Sequence, residues 1–406
     1  MFNRTQKRII CFTLIVFIIF SITFPTSADN SKTVLGAALY SKSAALIDGL
    51  NGELLYGKDE DIPLSMASTT KIMTCITALE YGDVNQYVKV SKNAASQPKV
   101  HLSMKIGEEY LLKDLLYSMM LESHNDSSVC IAEGISGSVE EFTSLMNNRA
   151  KELGLTNTYF ITPNGLDAEN SEGTHHTTAI ELAKIMKYCV KDSPKSKEFL
   201  KITQTRTYAF SDKSKQRNFS CTNHNYMFDK MDGIISGKTG YTSKAGYCYV
   251  GALEVEGRVY IVALLACGWP NNKNYKWKDA NLLLSYGRDN FYYIDINSLT
   301  LPDDILNSRR VIFNNKNIEE TYVDVGLIKT YTNKEYEIVQ KDDTAYILFD
   351  VEETLTSPID SGDVIGFVNY YINDELIKSY EIITKEKVDP PGFRYFFMKS
   401  LNVFML

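Results

Sequence analysis

Pro63-Leu64-Ser65-Met66-Ala67-Ser68-Thr69-Thr70-Lys71-Ile72-Met73-Thr74 is the stretch on which the reading of this chain turns. After Pro63, the apolar residues Ile72, Cys75, Ile76 and Leu79 recur at helical spacing, predicting a helix over 68–81 with that face inward. Residues three apart share a helix face, so the Ser68 hydroxyl and the Lys71 amine can touch. An amine in a dry site beside another cation loses its proton and can activate a hydroxyl. Ser96-Gln97-Pro98-Lys99 repeats the pattern, but Pro98 disfavours helix, so that Ser and Lys need not face each other. Of the two copies, only the first opens a periodic helix.

Two more short motifs follow at long intervals. Ser123-His124-Asn125 stands at the exit of an amphipathic helix over 111–121, whose Leu111, Leu112, Leu115, Leu116, Met119 and Met120 pack inward. A loop Ser and Asn two apart can both point into a cleft, one relaying a proton and one holding an amide. A helix-capping Ser followed by a turn Asn is the plainer alternative, and Ser91-Lys92-Asn93 is a rival. Lys238-Thr239-Gly240, preceded by Ser236-Gly237, opens a pair of strands. There a residue without a side chain lets a peptide backbone lie against the strand.

Around these motifs the chain alternates strand and helix. Strands are read at 37–48 and 52–56 across Leu50-Asn51, and at 247–254 and 259–266 across Glu256-Gly257. Helices are read at 139–153, closed by Gly154, at 178–191, where Thr178 and Glu181 have capping-box spacing, and at 277–286. Sheet at both ends with helices between predicts an α+β domain whose terminal strands share one sheet.

The chain's 406 residues, 44% hydrophobic and 23% charged, are enough for two or three domains with cores of their own, and exclude a disordered chain. Its net charge of −7 argues against nucleic acid as the main partner. Arg4, Lys7 and Arg8, an apolar run from Ile9 to Phe24 and small residues up to Ala28 have the layout of an export signal, residues 1–28, whose removal leaves a charge near −10. An uncleaved anchor is the alternative. The seven cysteines show no C-x-x-C spacing, and most of the six beyond the signal sit in apolar surroundings, so no zinc site and few or no structural disulfides are expected. Residues 301–389 hold 9 basic and 19 acidic residues, against near balance over 29–300. Short alternating runs at 323–331, 335–339, 345–349, 364–371 and 377–383, with Asn373-Asp374 suited to a tight hairpin, predict a small acidic all-β domain. In the tail, 390–406, Phe393, Phe396, Phe397, Leu401 and Phe404 share one helical face and Arg394, Lys399 and Asn402 the other. That pattern suits a helix lying in a membrane interface, and the alternative is a tail docked on its own protein.

Ser-x-x-Lys, Ser-x-Asn and Lys-Thr-Gly, in that order, form one constellation, and with them the chain resembles the low-molecular-mass penicillin-binding proteins, serine-type D-alanyl-D-alanine carboxypeptidases of peptidase family S11. The stretch from Pro63 to Thr74 carries the likeness, joined by Asn164-Gly165-Leu166-Asp167 before His176-Thr177-Thr178-Ala179, and by Lys238-Thr239-Gly240-Tyr241-Thr242. The resemblance implies a penicillin-binding protein/β-lactamase-like transpeptidase fold followed by a small all-β domain. It also implies an exported enzyme at the outer face of the cytoplasmic membrane that trims the last D-alanine from peptidoglycan stem peptides ending in D-Ala-D-Ala, and acylation by β-lactam antibiotics. Catalysis would fall to Ser68 as nucleophile, Lys71 as base and Ser123 as proton shuttle. Asn125, Lys238, Thr239, Gly240 and Tyr241 would bind substrate, with the N–H groups of Ser68 and Tyr241 as the oxyanion hole. No metal or cofactor is implied.

The sequence departs from the family pattern in two places. His124 stands where a small residue is usual; it is read as a surface histidine, the alternative being an imidazole at the cleft rim that alters access or pH response. Cys267-Gly268-Trp269-Pro270 occupies the stretch where relatives often carry an Arg for the substrate carboxylate, leaving that to Lys238 and Thr239. Among rival functions, a β-lactamase would need a deacylating Glu with an Asn four residues on, and Glu169-Asn170-Ser171-Glu172 lacks that spacing. A transpeptidase on the same fold and a catalytically silent wall-binding protein are the others.

Overall fold

The structure, a computed structural model, describes residues 38–295, 301, 305–313, 321–328 and 336–404. The expected export signal at 1–28, the first residue of the 37–48 strand, and positions 329–331 and 335 of the acidic strands lie outside the described residues. The chain divides into two compact units, one ending at Phe291 and the other starting at Tyr292.

The first unit is built on a five-stranded antiparallel sheet. Its strands are β1 (Ser43–Asp48), β2 (Leu54–Lys58), β3 (Ile234–Thr242), β4 (Gly246–Val255) and β5 (Arg258–Leu265), in the order β2-β1-β5-β4-β3. The first and last strands of the unit are neighbours, with Ser43 opposite Leu265 and Asp48 opposite Tyr260. This is the shared sheet expected from the sequence. Turn chemistry sets the hairpins. Asp48 Oδ2 accepts from the N–H groups of Leu50 and Asn51, and Glu256 and Gly257 both take positive φ, 51° and 76°, as a two-residue hairpin requires.

Both faces of the sheet are covered. Ala45, Ile47, Ile261 and Ala263 join the main helical core. The alternate residues Leu46 and Tyr260 approach Gly287 of the Tyr275–Asn290 helix so closely that a Cβ there would stand 3.2 and 3.0 Å from them. The Lys71–Tyr81 helix, predicted to bury one stripe, is buried at every position from Lys71 to Leu79. Helices Leu112–Leu121, Asn125–Ser136, Val139–Glu152, Ala179–Lys187 and Ser196–Gln204 pack around it. Leu111, read as the first inward residue of its helix, instead ends the short strand Glu109–Leu111. Thr178 does cap its helix, accepting from Glu181 N–H, but the Glu181 carboxylate turns to Asn157 N–H and the Thr158 hydroxyl rather than closing a capping box. The six cysteines of this unit are buried free thiols.

The second unit is all β among its described residues up to the tail. One sheet joins Arg309–Ile312, Thr321–Val323 and Thr354–Thr356, and another joins Val325–Leu327, Ala345–Val351, Val364–Ile372 and Glu375–Thr384. Val311, Val323, Val368, Tyr380 and Ile382 lie in its core. Asn373 and Asp374 form the expected tight hairpin turn, with φ of 49° and 66°. The tail is a helix, Phe393–Phe404, on which Phe393, Phe396, Phe397 and Leu401 are exposed. Among the described residues no helix is long and apolar enough to cross a membrane.

Candidate active site

A strained turn takes the place of the first residues of the helix predicted over 68–81. Ala67–Thr70 form a 3-10 turn leading into Lys71–Tyr81, and Ala67 adopts the left-handed region, φ 48°. That conformation costs a residue with a Cβ about 1–2 kcal/mol. Back-bonded threonines hold it, Thr69 Oγ1 donating to Met66 O at 2.6 Å and Thr70 Oγ1 to Ala67 O at 2.9 Å. Ser68 is left partly open, and Lys71, three residues on, is completely buried.

The Lys71 amine has three neighbours. Nζ lies 2.8 Å from Ser68 Oγ, 3.0 Å from Asn125 Oδ1 and 2.6 Å from the main-chain oxygen of Asn164. The amide and main-chain oxygens can only accept. A neutral amine gives its two hydrogens to them and keeps its lone pair for the Ser68 O–H. Burial, then the charge of Lys238, holds the Lys71 pKa well below its ordinary value, against a weaker opposing pull from Asp126.

A second cluster stands beside the first. Helix Leu112–Leu121 ends at Glu122, Ser123 takes φ 66°, and a new helix starts at Asn125, so the reversal brings Ser123 and Asn125 together. Lys238 Nζ, from β3, donates to Ser123 Oγ at 3.0 Å and to Thr239 O at 3.1 Å. Burial pushes the Lys238 pKa down to about 7. Asn125 Nδ2 donates to Pro98 O at 3.1 Å. Ser68, Lys71, Ser123, Asn125 and Lys238 are thus in one place, with Thr239, Gly240 and Tyr241 along the sheet edge beside them.

Gly240 does more than leave room for a visiting peptide. A Cβ on it would stand 2.9 Å from Ser68 N and 3.0 Å from Met66 O, so its bareness lets β3 press against the chain's own strained turn. Gly165 meets the same turn from the other side, where a Cβ would fall 2.0 Å from Ala67 O.

The main-chain oxygen of Asn164 was missed as a site atom, because a carbonyl has no side-chain signature. In the sequence the stretch Asn164–Asp167 stands out only as a family marker. Gln97, inside the rival Ser-x-x-Lys copy, was also missed; its Oε1 accepts from Asn164 Nδ2 at 2.9 Å. The rival Ser91 is the plain cap, accepting from Ala94 N–H. His124 is half-buried rather than on the surface. Its Nδ1 pairs with Ser118 Oγ at 2.8 Å, and burial lowers its pKa. Trp269 directs its one N–H to Ser243 O, 2.9 Å away, so it has no donor for a carboxylate. Glu169 and Glu172 are exposed.

Comparison with known proteins gives the family and the fold. Residues 29–266 match the family model of the D-alanyl-D-alanine carboxypeptidases, peptidase family S11. The chain is 29% identical to D-alanyl-D-alanine carboxypeptidase DacF of Bacillus subtilis over 98% of both chains. Its fold is similar to that of penicillin-binding protein 5 from Haemophilus influenzae, with a TM-score of 0.61 and 24% identity over 86% of this chain and 98% of that one. It is also similar to penicillin-binding protein D2 of Listeria monocytogenes in its cefotaxime-bound form, with a TM-score of 0.53 and 25% identity over 62% of this chain and 98% of that one. With its motifs, its α+β penicillin-binding-protein fold and a family match over more than half its length, the chain belongs to the serine-type D-alanyl-D-alanine carboxypeptidases of family S11.

Proposed function

We propose that the protein removes the terminal D-alanine from peptidoglycan stem pentapeptides through an acyl-enzyme on Ser68. Lys71 takes the Ser68 proton as Oγ attacks the carbonyl between the two D-alanines. The oxyanion is received by the N–H groups of Ser68, which opens a helical turn and so has no earlier turn to bond, and of Tyr241. Ser123 relays that proton from Lys71 to the leaving amine, the C–N bond breaks, D-alanine departs, and Lys71 is neutral again. Asn125 orients Lys71 and the substrate amide, while Lys238 and Thr239 hold the terminal carboxylate. Water, deprotonated by Lys71, then cleaves the ester.

The observation that carries this reading is the three-contact Lys71 amine, whose only place for a lone pair faces the Ser68 hydroxyl. β-Lactams, which carry an amide and a carboxylate in similar relation, acylate the same oxygen; the cefotaxime-bound relative supports this. The test is incubation with a peptide ending in D-Ala-D-Ala, following D-alanine and any cross-linked product. Release of D-alanine without cross-linking is expected, and a predominance of cross-linked product would make the enzyme a transpeptidase.

The export-signal pattern of residues 1–28 and the proposed peptidoglycan substrate support an activity outside the cytoplasmic membrane. Four exposed apolar side chains on the tail, each contributing roughly 1.5–3 kcal/mol when fully buried, and the charges of Arg394 and Lys399 support attachment to an anionic lipid surface. Deleting 391–406 is expected to abolish flotation with anionic vesicles and leave hydrolysis of a soluble peptide unchanged. Equal flotation of both forms would remove the tail as the anchor.

A further inference from the structure

Behind the nucleophile turn lies a buried histidine that the mechanism above does not use. His175 is enclosed, and short backbone pairings hold it on both sides, His175 N to Ala168 O, His176 with Tyr159, and Thr177 with Leu64. Its Nδ1 accepts from Ile161 N–H at 3.0 Å, with Thr162 N–H at 3.4 Å. A nitrogen that accepts carries no proton, so the hydrogen of the neutral ring is on Nε2. Nε2 lies 2.8 Å from Thr70 Oγ1, and Thr70 Oγ1 donates to Ala67 O. The direction of each bond follows. Ile161 N–H donates to His175, His175 N–H donates to the Thr70 hydroxyl, and that hydroxyl donates to the carbonyl of the strained residue before Ser68. Burial pushes the ring's pKa down to about 3, so the chain keeps its direction at neutral pH.

Both ends of this chain lead to reacting groups. One reaches Ala67, whose left-handed backbone aims Ser68. The other reaches Ile161 and Thr162, which begin the loop whose next residues supply Pro163 O to Thr74 Oγ1 at 2.7 Å and Asn164 O to the Lys71 amine. We propose that His175 is a positioning residue: one neutral imidazole that sets the nucleophile turn, through Thr70, and the carbonyl that orients Lys71, through Ile161, in a fixed relation to each other. The inference rests on Ser68 being the nucleophile and Lys71 its base.

If so, breaking the chain lowers the rate of acylation rather than substrate affinity, because it misplaces groups that are all still present. His175→Phe keeps a ring and removes both nitrogens, and Thr70→Val keeps the shape and removes the hydroxyl. Each is expected to reduce acylation by a fluorescent penicillin, and kcat on a D-Ala-D-Ala peptide, by about 10- to 100-fold, with KM changed less than about twofold. The double variant is expected to be no slower than the slower single one, since both cut the same chain. His175→Gln, whose amide offers a carbonyl for Ile161 N–H and an N–H for Thr70, is expected to recover most of the rate. A folded His175→Phe protein at full rate, additive losses in the double variant, or a Gln variant as slow as Phe at equal Tm overturns the proposal. Should His175→Phe not fold, Thr70→Val alone decides, and an undiminished rate overturns it. Ser68→Ala separates the two levels. If it still forms the penicillin adduct, the assignment of the nucleophile fails; if it loses the adduct while Thr70→Val keeps the full rate, only the brace fails.

Discussion

Ser68–Lys71 and Ser96–Lys99 spell the same pattern and share none of its chemistry. At Ser68 the backbone winds through a 3-10 turn into a helix enclosed on all sides, and Lys71 is driven out of water against the Ser68 hydroxyl. At Ser96 a one-turn helix, Lys92–Ala95, has just ended. Ser96 Oγ donates to Asn93 O, and both Ser96 and Lys99 are exposed. The difference lies in burial and in a third party, since Lys71 meets oxygens from residues 54 and 93 positions away. The second stretch has nonetheless become part of the site's wall, through Pro98 O and Gln97 Oε1.

The largest effect that could break this contrast is loss of the proposed nucleophile. Ser68→Ala is expected to abolish D-alanine release and penicillin labelling together, while Ser96→Ala leaves both at the wild-type level. The Ser68 hydroxyl meets Lys71 Nζ at 2.8 Å and Asn164 O at 3.4 Å, so its removal should cost only about 0.5–1.5 kcal/mol of stability. Lys71→Arg is expected to be as inactive towards acylation as general-base loss makes it, about 10²- to 10⁴-fold down, because a guanidinium cannot give up its proton. Lys99→Arg should change nothing. Mass spectrometry of the labelled protein, before and after digestion, checks both halves, and an adduct on Ser96 would reverse the assignment.

A smaller and more specific effect is expected from pH. On the proposed mechanism Lys71 must be neutral to act, so kcat/KM is expected to rise as pH climbs through its depressed pKa. Lys238 must be charged to hold a carboxylate, and its pKa of about 7 makes the rate fall again above neutrality. The profile is therefore bell-shaped, with apparent limbs belonging to the coupled pair. In Lys238→Met the falling limb should disappear. The rising limb should move to higher pH, because the cation that helps hold Lys71 neutral is gone. A variant that keeps the falling limb would show that Lys238 is not its source.

Much of this was readable from residues one turn or one strand apart. The shared sheet, the turns at Glu256-Gly257 and Asn373-Asp374, and the facing of Ser68 and Lys71 all follow from local periodicity and turn chemistry. What escaped was set by distant backbone. The Asn164 carbonyl could have been any residue's. Gly240 looked like an opening for substrate, yet its nearest obstacle is Ser68 N of its own chain. His124 was read as a surface residue, although Ser118, six positions back on the preceding helix, takes its ring. His175 escaped for the same reason, since the threonine that needs it is 105 residues away.

The smallest expected effect concerns the proline that separates the two stretches. Pro98→Ala removes the helix-disfavouring residue from the second copy, and if local helix propensity were what it lacked, a second labelled serine should appear. None is expected. Proline has no N–H, so no hydrogen bond is lost, and the carbonyl that accepts from Asn125 Nδ2 belongs to the backbone and survives. The surroundings of Ser96 and Lys99 stay wet, and no buried oxygen is brought to the amine. The change should release some unfolded-chain entropy and cost about 0.4–1 kcal/mol of stability. Labelling should remain one penicillin per chain, on Ser68, with an acylation rate within about threefold of wild type, since Asn125 keeps its partner. A rate loss of a hundredfold would mean that the ring itself, and not only its carbonyl, holds the wall of the site. Two labelled serines would mean that the difference between the copies was never more than one residue of backbone propensity.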